Sequence, residues 1–377
     1  MIYLDNAATT YPKPESVYKA MDEMNRSTVN AGRGSYKAAH RMSEVIAETK
    51  DKLRKLVNAD AETPVVFSPS ITVALDQIIN GLPFVGGENV YVSPYEHNAV
   101  ARTIWNVSKK NKINIIKMPL NDALEIDIEQ LKYRFSKDKP TYILCTHVSN
   151  VTGYVLPVEE IFREGKRYGS INVLDSAQSL GLISVDSTKI GADIIAFAGH
   201  KTLYGPLGIG GFINISRVEL ETFITGGTGS DSLNLDMPSG FESRYEAASM
   251  NMTAIAGLNA ALDAINQKEI FAHERDLTEY LIEDLQKIAG VSVLCPRDKD
   301  RRVGIVSVML DSMGSDDCGI ILDEDYDIAV RTGYHCAPFI HKYLSDESKM
   351  GTVRISIGQF NNKADVDAII KAVTELV

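Results

Sequence analysis

The stretch Ile194-Ile195-Ala196-Phe197-Ala198-Gly199-His200-Lys201-Thr202-Leu203-Tyr204-Gly205-Pro206 decides the fold. It begins as an unbroken apolar run, the pattern of a short strand buried on both faces. The run stops at Gly199-His200-Lys201 and turns at Gly205-Pro206, and a second strand reads from Gly208 to Ile215. Lys201 therefore stands where a buried strand gives way to a loop. In open α/β sheets, ligands gather at such strand ends. A lysine there is either a solvated loop charge or a working amine, and the rest of the chain decides between the two.

Upstream, strands and helices alternate. Val65 to Phe67 reads as a strand and Ser70 to Leu82 as a helix, followed by a strand at Asn89 to Ser93 and a helix at His97 to Lys109. The alternation continues with a strand at Ile113 to Met118 and a helix at Asp127 to Phe135. Next come a strand at Thr141 to His147, a helix at Val158 to Tyr168 and a strand at Ile171 to Asp175. Repeated units with apolar strands predict an α/β fold, with a mainly parallel sheet covered on both faces. Before them, Pro14-Glu15 opens a first helix. The glycine-rich Asn30 to Ser35 forms a loop, with Ser35 expected to cap a second helix that lays Met42, Val45, Ile46, Leu53 and Leu56 on a core.

The composition shifts after Gly226-Gly227-Thr228-Gly229-Ser230. A polar, irregular stretch precedes the alanine-rich helix Ala254 to Ile265. Then follow a helix at Glu269 to Ile288, strands at Val291 to Leu294 and Val303 to Met309, a helix near Asp316 to Leu322, a strand at Thr352 to Ile357 and a closing helix at Lys363 to Leu376. The expected division is a large α/β domain over 13–256 and a smaller α+β domain formed by 1–12 with 257–377.

The chain has 377 residues and a net charge of −11 at pH 7, a balance that disfavours a nucleic-acid partner. No apolar run reaches membrane-spanning length, and the first residues lack the basic-then-apolar order of a signal peptide, so no membrane role and a cytoplasmic location are expected. Cys145, Cys295, Cys318 and Cys336 lie far apart with no C-x-x-C pair, which argues against a metal site and a disulfide scaffold.

Chemical groups cluster at the ends of the expected strands. Asp175 follows one strand, His97 another and Asn150 a third; the stretch Ser68-Pro69-Ser70-Ile71-Thr72 opens a helix with hydroxyls and free N–H groups, a ready anion site. Each alone reads more readily as a cap or a turn. Together with Lys201 they supply an amine, a carboxylate, an imidazole, an amide and an anion cradle. That set matches the needs of pyridoxal 5'-phosphate: a lysine to anchor it, an acid to hold a proton on its ring nitrogen, and a cradle for its phosphate.

The chain resembles the cysteine desulfurase group of the class V aminotransferases. The matching pieces are Tyr3-Leu4-Asp5-Asn6-Ala7-Ala8-Thr9-Thr10, Glu96-His97-Asn98-Ala99, Asp175-Ser176-Ala177-Gln178, Gly199-His200-Lys201, Arg331-Thr332-Gly333-Tyr334-His335-Cys336-Ala337 and Gly351-Thr352-Val353-Arg354-Ile355-Ser356. They span nearly the whole chain in the family's order. The resemblance implies fold type I of the pyridoxal phosphate enzymes, with a mainly parallel seven-stranded sheet. It also implies a homodimer with the active site at the subunit interface. Lys201 becomes the anchoring lysine, Asp175 the partner of the ring nitrogen, His97 the imidazole over the ring and Gln178 the neighbour of the ring hydroxyl. Thr72, Ile71 and His200 fall at the phosphate. Asn150 and Arg354 meet the substrate carboxylate, where a planar guanidinium gives bidentate geometry, and Ala8 lies beside the substrate.

Two positions depart from the family pattern. Ala198 and Ile71 stand where many members carry a hydroxyl. Thr202, or Thr228 and Ser230 of a neighbouring subunit, are the replacement donors to expect.

Cys336 sets the reaction class. It follows His335, precedes Ala337-Pro338 in a stretch rich in turn residues, and lies near Arg331, whose charge favours the nucleophilic thiolate. It also falls where desulfurases carry their nucleophile. The other three cysteines read as small core residues. The expected activity is conversion of L-cysteine to L-alanine, with sulfur passed to Cys336 as a persulfide and on to an acceptor protein. The motif resembles the form of the family with a short cysteine loop. Selenocysteine lyase, aminotransferase and epimerase are the alternatives that share this machinery.

Overall fold

The computed structural model describes residues 1–31 and 34–377. Strand Ile194–Ala198 is buried at every position. It lies inside a seven-stranded sheet whose order is Val65–Ser68, Gly210–Asn214, Ile194–Ala198, Ile171–Asp175, Tyr142–Thr146, Asn89–Val92 and Asn114–Lys117. Pairing is parallel from Ile194–Ala198 outward to Asn114–Lys117, while Gly210–Asn214 runs antiparallel to both of its neighbours. The mainly parallel sheet expected from the alternation is therefore present.

Alternate residues of the central strand enter different cores, as the two-residue period of a strand requires. Ile195 and Phe197 join Met42, Leu53, Phe162, Ile255 and Leu258, from helices Lys37–Leu56, Val158–Lys166 and Met252–Ala264. Ile194, Ala196 and Ala198 join Leu75, Ile78, Val100 and Ile104, from helices Ile71–Gly81 and Asn98–Lys110. Burial on both faces explains why the strand reads as continuously apolar. Truncating a ring such as Phe197 to alanine costs about 3–5 kcal/mol in sites of this kind.

A second sheet is antiparallel, in the order Arg331–Gly333, Thr352–Ser356, Ile305–Leu310 and Val291–Leu294. Helices Gln267–Leu285, Ser315–Tyr326 and Lys363–Leu376 cover it through Leu281, Leu322, Val366 and Ile369. The N-terminus packs here too. Ile2 pairs with Ile328 in parallel, and Leu4 is buried in the same core.

Some local expectations differ. The second helix starts at Lys37 with Tyr36 at the cap position and no side-chain cap bond, so Ser35 lies one residue too early to cap it. The glycine-rich loop at Asn30 to Ser35 includes Gly32 and Arg33, which lie outside the described residues. The helix expected from Glu269 begins at Gln267, because Asn266 caps it by accepting from the Glu269 N–H. Arg331–Gly333, read only as turn-rich, is a short strand paired with Thr352–Ser356.

Candidate active site

The carboxyl ends of the parallel strands open onto a cavity of about 210 Å³. Register brings the groups together. Asp175 closes its strand opposite both Thr146 and Ala196. Asn150 and Lys201 follow just beyond these neighbours.

Lys201 lies in a tightly wound loop. Its carbonyl accepts from Tyr204 N at 2.8 Å and Thr10 Oγ1 at 3.2 Å, and Gly205 N donates back to Gly199 O at 2.7 Å. Tyr204 takes a φ of +53° to make this turn. The Lys201 side chain lines the cavity. Burial pushes its pKa down to about 8; nearby Asp175 opposes this, while Arg354 and Arg331 add to it. It is an amine that loses its proton far more readily than a solvated lysine does.

Asp175 is 5% exposed and accepts from Ala177 N at 2.9 Å through Oδ1. Burial raises its pKa, against the Ala177 bond and the Lys201 charge. His97 proves to be both a cap and a cavity residue. Its Nδ1 accepts from Ala99 N at 3.0 Å at the start of helix Asn98–Lys110, and its ring lines the cavity. Burial, with Lys201 and Arg331 adding, lowers its pKa to about 4, so the imidazole is neutral at pH 7. With Nδ1 accepting, the proton of the neutral ring sits on Nε2.

At the substrate end Arg354 is wholly buried. It donates to Asp5 Oδ1 at 2.6 Å and to the Asn150 carbonyl at 3.0 Å, while its Nε has no partner among the described residues. Asn150 spends one amide proton on the His335 carbonyl at 2.6 Å. Gln178 donates to the Ala7 carbonyl at 2.8 Å, and Ala8 lines the wall beside it.

The anion end is the start of helix Ile71–Gly81. Ser70 caps it by accepting from Val73 N at 3.2 Å, which leaves Ile71 and Thr72 facing the cavity. Gly210 lets the neighbouring strand approach; a Cβ there would lie 2.5 Å from Ile71 N and 2.7 Å from Ser70 C. His200 also lines this cavity, with a buried Nδ1 that has no partner among the described residues. Thr202 does not join it. Its hydroxyl donates to the Leu180 carbonyl at 2.7 Å, so it cannot serve as the replacement donor. Thr228 and Ser230 lie in a loop outside the cavity of their own chain, with hydroxyls 3.3 Å apart. Unpaired donors, a helix start and a depressed amine opposite a buried carboxylate fit pyridoxal phosphate in size and charge.

Cys336 stands just outside, in the wall of a neighbouring groove of about 920 Å³. His335 and Cys336 both take left-handed φ angles, +45° and +58°. The turn is held from two sides: Asn98 N donates to the Cys336 carbonyl at 2.6 Å, and Asn150 holds the His335 carbonyl. Arg331 lines both cavities and donates to Cys336 Sγ at 3.1 Å. Burial pushes the Cys145 and Cys318 thiols up, consistent with inert core residues.

Sequence reasoning assigned no role to Asp5 or Glu96. Both sit inside the motifs given above, but only the fold shows Asp5 paired to Arg354 and Glu96 buried near Asp175, accepting from Ser93 Oγ and Thr146 N.

The family model for aminotransferase class-V matches residues 2–369. The chain therefore belongs to the class V aminotransferase family. Within that family its place is among the cysteine desulfurases. It is 31% identical to a probable cysteine desulfurase of Methanothermobacter thermautotrophicus, over 100% of this chain and 94% of the relative. It is 32% identical to one of Pyrococcus abyssi, with the same coverage. Its fold matches a cysteine desulfurase from Thermococcus onnurineus at a TM-score of 0.92 and 29% identity, covering 100% of this chain and 94% of that one.

Proposed function

We propose that this protein is a pyridoxal phosphate-dependent cysteine desulfurase that moves sulfur from L-cysteine to Cys336 and then to an acceptor protein. The observation that carries this reading is one arrangement: Lys201 and Asp175 line one cavity, and Arg331 links that cavity to the thiol of Cys336.

When bound, pyridoxal phosphate supplies an electron-withdrawing pyridinium ring that lowers the cost of negative charge at the substrate α-carbon. Lys201 anchors it and, once free, carries the α-proton; its lowered pKa suits it to that work. Asp175 keeps the proton on the ring nitrogen. His97 and Gln178 orient the ring, and Ile71, Thr72 and His200 hold the phosphate. Arg354 and Asn150 take the substrate carboxylate, with Ala8 packed beside it. Cys336 Sγ attacks the substrate sulfur; the carbon–sulfur bond breaks, its electron pair stays with the three-carbon fragment, and Cys336 keeps the sulfur as a persulfide.

The protein works as a homodimer in this reading. Leu233 and Leu235 are fully exposed on the loop that follows Thr228 and Ser230. Such a loop is better explained as covered by a second copy, which then receives Thr228 of the partner subunit near its phosphate. The division into 13–256, and 1–12 with 257–377, is proposed on the same footing. No helix among the described residues is long and apolar enough to cross a membrane. A cytoplasmic location belongs to the same proposal.

The test is reconstitution with pyridoxal phosphate followed by borohydride reduction and peptide mapping. Label on Lys201 supports the reading, and label elsewhere or none removes its foundation.

A further inference from the structure

The outer groove holds two histidines that the chemistry above leaves unused, His335 and His341. His341 opens the short helix His341–Leu344 and is 6% exposed. Its Nδ1 pairs with Asp346 Oδ2 at 2.5 Å, and Asp346 is wholly buried. A carboxylate on Nδ1 fixes the proton there and makes Nε2 the basic nitrogen. That Nε2 is buried without a partner among the described residues. Its ring meets Tyr334 edge-on at 5.1 Å and lies 6.1 Å from the ring of His335, the residue that precedes Cys336. His335 is engaged differently, with Nε2 on Thr352 Oγ1 at 2.8 Å, and burial lowers its pKa to about 2.

A thiol attacks only as its thiolate, and an ordinary alkyl thiol, with a pKa near ~8.5, is mostly protonated at neutral pH. The groove therefore needs a base if sulfur leaves Cys336 through it. We propose that His341, oriented by Asp346, takes the proton of the acceptor thiol that collects sulfur from Cys336. This rests on the reading of Cys336 as the persulfide carrier. The proton passes to His341 Nε2. The acceptor thiolate attacks the outer sulfur of the persulfide, a new sulfur–sulfur bond forms, and the old one breaks. Cys336 leaves as a thiolate beside Arg331, and no outside oxidant or reductant is consumed. Arg102, Lys117, Arg331 and Lys342 line the same groove against one carboxylate, Glu347. Their charge also favours a bound thiolate, so the test must separate field from base.

The experiment loads the pyridoxal phosphate form with one equivalent of L-cysteine, quantifies alanine and persulfide, and then follows discharge by mercaptoethanol across pH. Discharge is normalised to the persulfide formed, so the two halves are read separately. Absence of alanine and persulfide in the unmodified protein defeats the desulfurase reading itself. Given a persulfide, His341→Asn slows discharge at neutral pH on the order of a hundredfold, and Asp346→Asn slows it less. The deficit closes as pH rises past the pKa of the thiol, and it is small for the more acidic trifluoroethanethiol. Unchanged discharge in His341→Asn overturns the proposal. So does a deficit that persists equally at high pH and with the acidic thiol, the mark of a structural or purely field-based role.

Discussion

The Arg331 guanidinium donates to Cys336 Sγ at 3.1 Å, from a side chain that also lines the Lys201 cavity. A hydrogen bond from a charged donor holds the sulfur in one orientation, and such bonds contribute about 1.5–3 kcal/mol. Arg331→Met is expected to slow alkylation of Cys336 by iodoacetamide roughly tenfold or more at neutral pH. Equal rates at neutral pH contradict the contact.

Lys201 is the group whose protonation limits capture of an aldehyde. Its folded pKa is lowered to about 8 by burial, so the reactive neutral amine predominates above that pH and is lost below it. Stopped-flow capture of pyridoxal phosphate by the cofactor-free protein is expected to accelerate up to about pH 8 and then level off. A rise continuing to the ordinary lysine range, near ~10.4, means that Lys201 is not held as described.

Arg354 Nε has no partner among the described residues, while its other nitrogens are held by Asp5 and Asn150. Lysine keeps the charge but not the planar fork. Arg354→Lys is expected to raise the KM for L-cysteine roughly tenfold to a hundredfold, the cost of about 1.5–3 kcal/mol for one charged hydrogen bond. The kcat should change less. A fall in kcat at unchanged KM would instead place Arg354 away from the substrate carboxylate.

Glu96 is wholly buried, and burial lifts its pKa to about 8, with Asp175 adding and the Ser93 and Thr146 bonds opposing. The unfolded carboxyl titrates near ~4.3. Between these values the folded state holds a proton that the unfolded state has released, so this group's contribution to stability falls as pH rises through the window. Glu96→Gln keeps the shape and removes the titration. Thermal melts should show its Tm gaining on the parent protein steadily from pH 5 to pH 8; a constant offset across that range removes the pKa argument.

Most of the large sheet was legible because both of its faces are covered. Continuous apolar runs such as Ile194–Ala198 and Tyr142–Thr146 leave little room for another reading. Lys201, Asp175, His97 and Asn150 stood out as candidates because they follow such runs. Arg331–Gly333 was not, since a three-residue edge strand with one β-branched residue carries no pattern of its own. Glu96 and Asp5 were hidden for a different reason. Their partners, Thr146 and Arg354, are distant in the chain and are brought close only by strand register and by the bridge from Asp5 to Ser356 of the second sheet. Thr202 misled because its place beside Lys201 says nothing of the loop that turns its hydroxyl toward Leu180.

The most direct test is alanine release from L-cysteine by protein reconstituted with pyridoxal phosphate, with and without a reductant, beside Cys336→Ala. The account predicts release that the reductant stimulates by clearing the persulfide, and loss of both release and persulfide in the variant while cofactor capture is kept. Alanine formed equally well by Cys336→Ala, or none formed by the intact, cofactor-loaded protein, would contradict it.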